Sequence, residues 1–84
     1  MNFSHTQILT TEVVRAFEAT VGRKAGRARA GRSVSGLLKA AATHGQIKAI
    51  GSWGRVSGSG TTYEMTEQQA DEIRAKAIAK AASL

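Results

Sequence analysis

Residues 23–32 read Arg-Lys-Ala-Gly-Arg-Ala-Arg-Ala-Gly-Arg, with five basic residues, two glycines and no large apolar side chain. Such a stretch removes little apolar surface from water, so a core has to be assembled from the chain on either side of it. Large apolar residues are available on both sides, from Phe3, Ile8 and Phe17 to Val34, Leu38, Ile47, Tyr63, Ile73 and Leu84. At 84 residues the chain has material for one modest core, and it reads as a single domain over 1–84.

Before the basic stretch, Ser4 and Gln7 have the spacing of a capping box, and Phe3 is placed to staple onto Ile8. Ile8, Leu9, Val13, Val14, Phe17 and Val21 then recur at three- and four-residue intervals, which predicts a helix over 4–21 ended by Gly22 in a left-handed turn. Residues 23–32 are expected to form a short surface helix interrupted by Gly26, at a cost of about 1 kcal/mol relative to alanine. An arm that orders only on a partner is the alternative. Ser33 is placed to cap the next helix, over 34–44, in which Val34, Leu37, Leu38 and Ala41 fall within about 100° of arc and Gly45 supplies the stop.

Two alternating segments, 46–50 and 61–65, flank the glycine- and serine-rich residues 51–60 and predict a two-stranded β-hairpin. Ile50 and Trp53 break strict alternation, so the register stays open. Thr66 and Gln69 make a second capping box, opening an alanine-rich helix to the C-terminus with Glu67, Asp71 and Glu72 near its start and Lys76 and Lys80 near its end, as the helix dipole favours. The expected fold is α+β: three N-terminal helices, a two-stranded hairpin and a C-terminal helix. Ala70, Ile73, Ala77, Ala81 and Leu84 form one stripe on that last helix, which either packs within the chain or joins the first helix in a homodimer interface.

The net charge is +6, and its distribution carries more information than its value. No acidic residue occurs between Glu18 and Glu64, while Arg23, Lys24, Arg27, Arg29, Arg32, Lys39, Lys48 and Arg55 give that stretch +8. A solubilising surface usually intersperses both signs, so a one-sign field of this length points to a polyanionic partner. Arg23, Lys24, Arg27, Arg29 and Arg32 are the expected phosphate contacts, because guanidinium groups bond phosphate in pairs without a rigid pocket.

Other classes of function find little support. The absence of cysteine removes disulfides and thiolate metal sites, and His5 and His44 alone cannot build a four-ligand zinc site. No paired carboxylates and no nucleophile with a histidine and an acid occur at compelling spacing, so neither an enzyme nor a cofactor is expected. His44 beside Gly45 reads as a helix C-terminal residue and His5 as a first-turn residue. No run approaches about 18 apolar residues and no basic start precedes an apolar segment, so a cytoplasmic protein is expected. Gly51-Ser52-Trp53-Gly54 matches the Gly-x-x-Gly loop of KH domains only formally, and Gly58-Ser59-Gly60 lacks the lysine and helix of a nucleotide-binding loop.

Residues 33–50, Ser-Val-Ser-Gly-Leu-Leu-Lys-Ala-Ala-Ala-Thr-His-Gly-Gln-Ile-Lys-Ala-Ile, combine a small polar start, an apolar position, a leucine pair, a glycine stop and an isoleucine opening a strand. This pattern, continued to residue 66, resembles the recognition helix and wing of winged helix-turn-helix proteins. The resemblance implies that the helix over 34–44 lies in the major groove of duplex DNA, with Ser33, Ser35, Lys39 and Thr43 toward it. It further implies that Arg55, at the wing tip, contacts phosphate or enters the minor groove. The face lacks the Arg-to-guanine and Asn- or Gln-to-adenine pairs, so discrimination is expected to be modest or to rest on Arg32, the wing and DNA shape. The expected role is a DNA-binding regulator or DNA-organising protein. RNA or single-strand binding with Trp53 as a stacking platform, and a small protein-interaction or inhibitor module, are the alternatives.

Overall fold

Gly22 adopts φ +89° and ψ 157°, backbone open to glycine and strained for any other residue, and this single residue joins two helices. Its amide donates to the Glu18 carbonyl at 2.9 Å and its own carbonyl accepts from the Gly26 amide at 2.9 Å, so it closes one helix while opening the next. The computed structural model describes residues 1–55 and 58–84, with the side chains of Trp53, Arg55 and Ser59 outside the description. Its elements are β1 (Asn2–Ser4), α1 (His5–Ile8), α2 (Thr11–Val21), α3 (Arg23–Thr43), β2 (Lys48–Arg55), β3 (Gly58–Glu64) and α4 (Glu67–Ala82). The fold is α+β, four helices with a three-stranded antiparallel sheet in the order β1-β3-β2.

The helix expected over 4–21 is divided at Leu9 and Thr10. Thr10 is extended at φ −98° and ψ 166°, and its side chain accepts from the Val13 amide at 3.4 Å, so it caps α2. Ser4 retains its own start signal, its amide donating to Gln7 Oε1 at 2.7 Å, which leaves α1 as a single turn. The break lets Ile8 and Val13 both reach the core, where neither is exposed to solvent.

The two helices expected at 23–32 and 34–44 are one, α3, and Ser33 lies inside it rather than capping anything. Gly26, Ala30, Val34, Leu38 and Ala41 recur every three or four residues and are all buried, so the burial stripe runs through the basic stretch without a break. Gly26 does not interrupt the helix because it is where α3 lies closest to α2. A Cβ there would fall 2.5 Å from Glu18 Cα and 2.6 Å from the Glu18 amide nitrogen. The C-terminus of α3 ends as the sequence implies. Gly45, at φ +74°, donates to the Ala42 carbonyl and Gln46 to the Ala41 carbonyl, the paired bonds of a Schellman turn.

The sheet contains a third strand that the sequence pattern did not reveal. β1 pairs with β3 through Phe3↔Tyr63, and the Met65 amide donates to the Met1 carbonyl at 2.9 Å. The hairpin strands also run well into the glycine-rich stretch, with Trp53 opposite Gly60 and Arg55 opposite Gly58. The broken alternation at Ile50 is a register shift between Ala49 and Gly51, leaving Ile50 as the extra, 41% exposed residue. Gly51 to Gly54 lie within β2 and Gly58 to Gly60 within β3, so neither is a phosphate-cradling loop.

Thr66 and Gln69 form the expected capping box at the start of α4, with reciprocal bonds of 2.9 and 3.1 Å. Ala70, Ile73, Ala77 and Ala81 are all buried in the core of the same chain, where α4 packs on α2 and α3; Leu84 is exposed. The stripe considered for a homodimer is therefore used within the chain.

These contacts predict opposite outcomes for two glycine substitutions in α3. Gly26→Ala forces α2 and α3 apart at backbone level and is expected to destabilise the fold by about 1–3 kcal/mol. Gly36→Ala meets nothing within 4 Å and is expected to stabilise it by up to about 1 kcal/mol through helix propensity. Urea unfolding of the two variants beside the wild type measures both.

Candidate nucleic-acid interface

Because α3 is continuous, residues at spacings of three and four along all of its length share a side. Lys24, Ala28, Arg32, Ser35, Lys39 and Thr43 make one such row, opposite the buried stripe, and all but the half-buried Ser35 are exposed. From Arg32 to Thr43 the row spans about 16 Å at a rise of ~1.5 Å per residue. Thr43 donates its hydroxyl to the Lys39 carbonyl at 2.9 Å, which leaves its oxygen as an acceptor toward solvent.

Beside this row the hairpin and the first helix form a wall. Arg32, Ser35 and Lys39 line a groove of about 380 Å³ together with His5 and Thr6 of α1 and Thr61 of β3. α1 is tied to α3 there by a bond between His5 Nε2 and the Gly31 carbonyl at 3.0 Å; since a carbonyl only accepts, Nε2 carries the proton. His5, Thr6 and Thr61 reach the groove through tertiary packing, and no local signal in the sequence connects them with Lys39.

The other sequence-derived candidates divide between different sides. Arg23 and Arg27 turn toward α2, lining a second groove with Arg15 and Glu18. Arg29 faces the far end of α4, beside Lys80. Ser33 leaves the interface altogether. It is 6% exposed, on the α4 side of the helix, because it falls three residues after Ala30 and seven after Gly26, on the edge of the buried arc. Arg55 closes β2 at the hairpin tip, opposite Gly58, and its side chain, like that of Trp53, lies outside the described residues.

The electrostatics of α3 are one-sided. Six cations, Arg23, Lys24, Arg27, Arg29, Arg32 and Lys39, sit on a helix with no acidic residue. Its first turn has neither a capping side chain nor an acid to complement the positive end of the dipole. Among the described residues the one ion pair is Arg74 with Asp71 at 2.7 Å, which involves no cation of α3; Arg74 also donates to the Gln7 carbonyl at 3.0 Å, joining α4 to α1. Lys48 stands opposite Glu64 across β2 and β3, and Arg23 and Arg27 share their groove with Glu18, so the α3 cations beside no acid are Arg29 and those of the outward row. Among the described residues no group of three or more His, Cys, Asp or Glu is placed to hold a metal, and no helix is long and apolar enough to cross a membrane.

None of the protein-family models, characterised proteins or solved structures compared with this chain matches it.

Ser33 Oγ is buried without a hydrogen-bond partner among the described residues. An orphaned hydroxyl forfeits its hydration, so Ser33→Ala is expected to raise stability by about 1 kcal/mol, a change readable as a higher melting temperature.

Proposed function

We propose that this protein binds duplex DNA through the outward side of α3, with β2 and β3 acting as a wing beside it. In this reading the helix-turn-helix is α2, Gly22 and α3, rather than a turn near Ser33, and α3 is the recognition helix. The observation that carries the proposal is the acid-free α3, whose six cations have no ion-pair partner among the described residues. Unneutralised arginine and lysine on a rigid helix can each displace a condensed counterion from the phosphate backbone, which is the main source of sequence-independent affinity.

Within the interface, Arg32 and Lys39 are assigned to phosphates on either side of the groove. Ser35 and Thr43 present small polar groups to base edges or backbone, and the exposed Gly36 and Ala40 let the helix axis approach closely. Lys24 extends the phosphate track along the N-terminal half of the helix, Arg23 and Arg27 lie off it toward α2, and Arg55 contributes from the wing. The set holds no Asn or Gln and presents its arginines singly, so binding is expected to follow DNA shape and charge more than base sequence. The role that suits such a binder is a regulator of low sequence discrimination or a DNA-organising protein, working without catalysis.

Fluorescence-anisotropy titration of labelled duplex DNA, single-stranded DNA and RNA at two salt concentrations tests this. With about four phosphates neutralised, affinity for duplex is expected to fall roughly 10²-fold over a fourfold rise in salt. Arg32→Ala with Lys39→Ala is expected to flatten that dependence by about two contacts. Preference for single strands or RNA would replace the duplex reading with a stacking one, and no binding at low salt would overturn both.

A further inference from the structure

The side of α3 turned toward α4 holds an arrangement that shares only Arg32 with the DNA-facing row. Arg29 and Arg32 of α3 and Lys80 of α4 line one hollow of about 200 Å³, floored by Phe17 of α2 and Ser33 of α3 and edged by Leu84. No acidic side chain lines it, and none of its three cations has an ion-pair partner among the described residues. Like charges one helical turn apart repel each other. Here a third cation on a neighbouring helix faces the same space, so the three charges repel one another across it. Beneath it lies Ser33, more than nine-tenths buried, whose Oγ is without a partner among the described residues.

We propose that this hollow is an oxyanion site that binds a phosphate group. Two guanidinium groups offer paired donors matched to phosphate oxygens, the ammonium adds a point charge from the opposite wall, and the serine hydroxyl supplies a neutral donor from the floor. The volume lies below the ~300–1,000 Å³ of ordinary small-molecule pockets, which suits a phosphate rather than a whole nucleotide. Binding would join α3 to the end of α4 through the anion and give the orphaned hydroxyl its missing partner. The phosphate group is either a free phosphate or a phosphodiester of a bound nucleic acid. The site shares Arg32 with the recognition row but requires no other residue of that row and no part of the wing.

The test is a two-dimensional amide NMR titration with sodium phosphate against sodium chloride at matched ionic strength, on the wild type and on Lys80→Gln, Arg29→Gln, Ser33→Ala and Arg23→Gln. The expected result is saturable shifts confined to residues 29–33 and 80–84. Affinity should fall about tenfold in Lys80→Gln and Arg29→Gln, the loss of one charge-assisted bond, and stay unchanged in Arg23→Gln. Ser33→Ala, which keeps its fold, should also bind more weakly. Shifts that never saturate, that spread evenly over every basic residue, or that persist unaltered in Lys80→Gln would overturn the site. Adding duplex DNA to the phosphate-bound protein then assigns the source. Displacement of phosphate identifies a nucleic-acid phosphodiester, and simultaneous binding identifies a free phosphate. Saturable phosphate binding by a protein that takes no nucleic acid would leave this site standing and remove the DNA-binding proposal alone.

Discussion

The contact between Gly26 and Glu18 sets the position of almost everything else in this molecule. At that point the backbones of α2 and α3 are so close that a methyl group would overlap the Glu18 backbone. With the crossing fixed there, Ala30, Val34, Leu38 and Ala41 of α3 join Val13 and Phe17 of α2 in one buried cluster, and α4 packs on both helices. Gly22 makes the crossing reachable, because only its positive φ reverses the chain between two helices in one residue. The five largest fully buried side chains, Phe17, Ile8, Leu38, Val13 and Val34, come from these first three helices. At about 1.5–3 kcal/mol for each large side chain removed from water, they are the main source of cohesion in a small domain.

The same constraint explains how a helix with six cations and few large apolar residues can be an internal element. A helix that buries glycine and alanine needs only a narrow contact arc, which leaves most of its circumference for charged side chains. Arginine, lysine and alanine are also strong helix formers, so the basic stretch favours helix wherever tertiary contact holds it. Small residues on the inside and long cations on the outside are one design: close approach of the helices supplies the packing, and the absence of acids keeps the outer surface at a single sign. The local repulsion this creates costs stability, and neutralisation by any bound anion would relieve it.

The charge pattern was fully legible in the chain, since the acid-free span from Glu18 to Glu64 needs no structure to be seen. So were the helix ends marked by Gly22, Gly45 and Thr66, because capping is local chemistry. The grouping of the cations was not. Five basic residues within ten positions leave α3 on three sides, since consecutive helix positions are about 100° apart. Ser33 looked like a cap because serine before an apolar residue usually is one, and only the continuity of α3 places it inside. Thr10 capping α2 and three-residue β1 escaped for a related reason: a weak cap and a strand too short for periodicity carry no pattern above their surroundings.

By itself, then, the sequence determined the helical segments wherever apolar spacing and caps agreed, the hairpin, the α+β class and the sign of the central surface, all properties set within a few neighbouring residues. Tertiary structure decided that two expected helices are one, that a bulge at Ile50 sets the hairpin register, and that a third strand completes the sheet. It also decided which cations share a surface. Those outcomes depend on contacts between residues far apart in the chain, such as Gly26 against Glu18 across a turn and Phe3 against Tyr63 across the whole fold. Such contacts are chosen by close packing of a small core, and no local propensity records them.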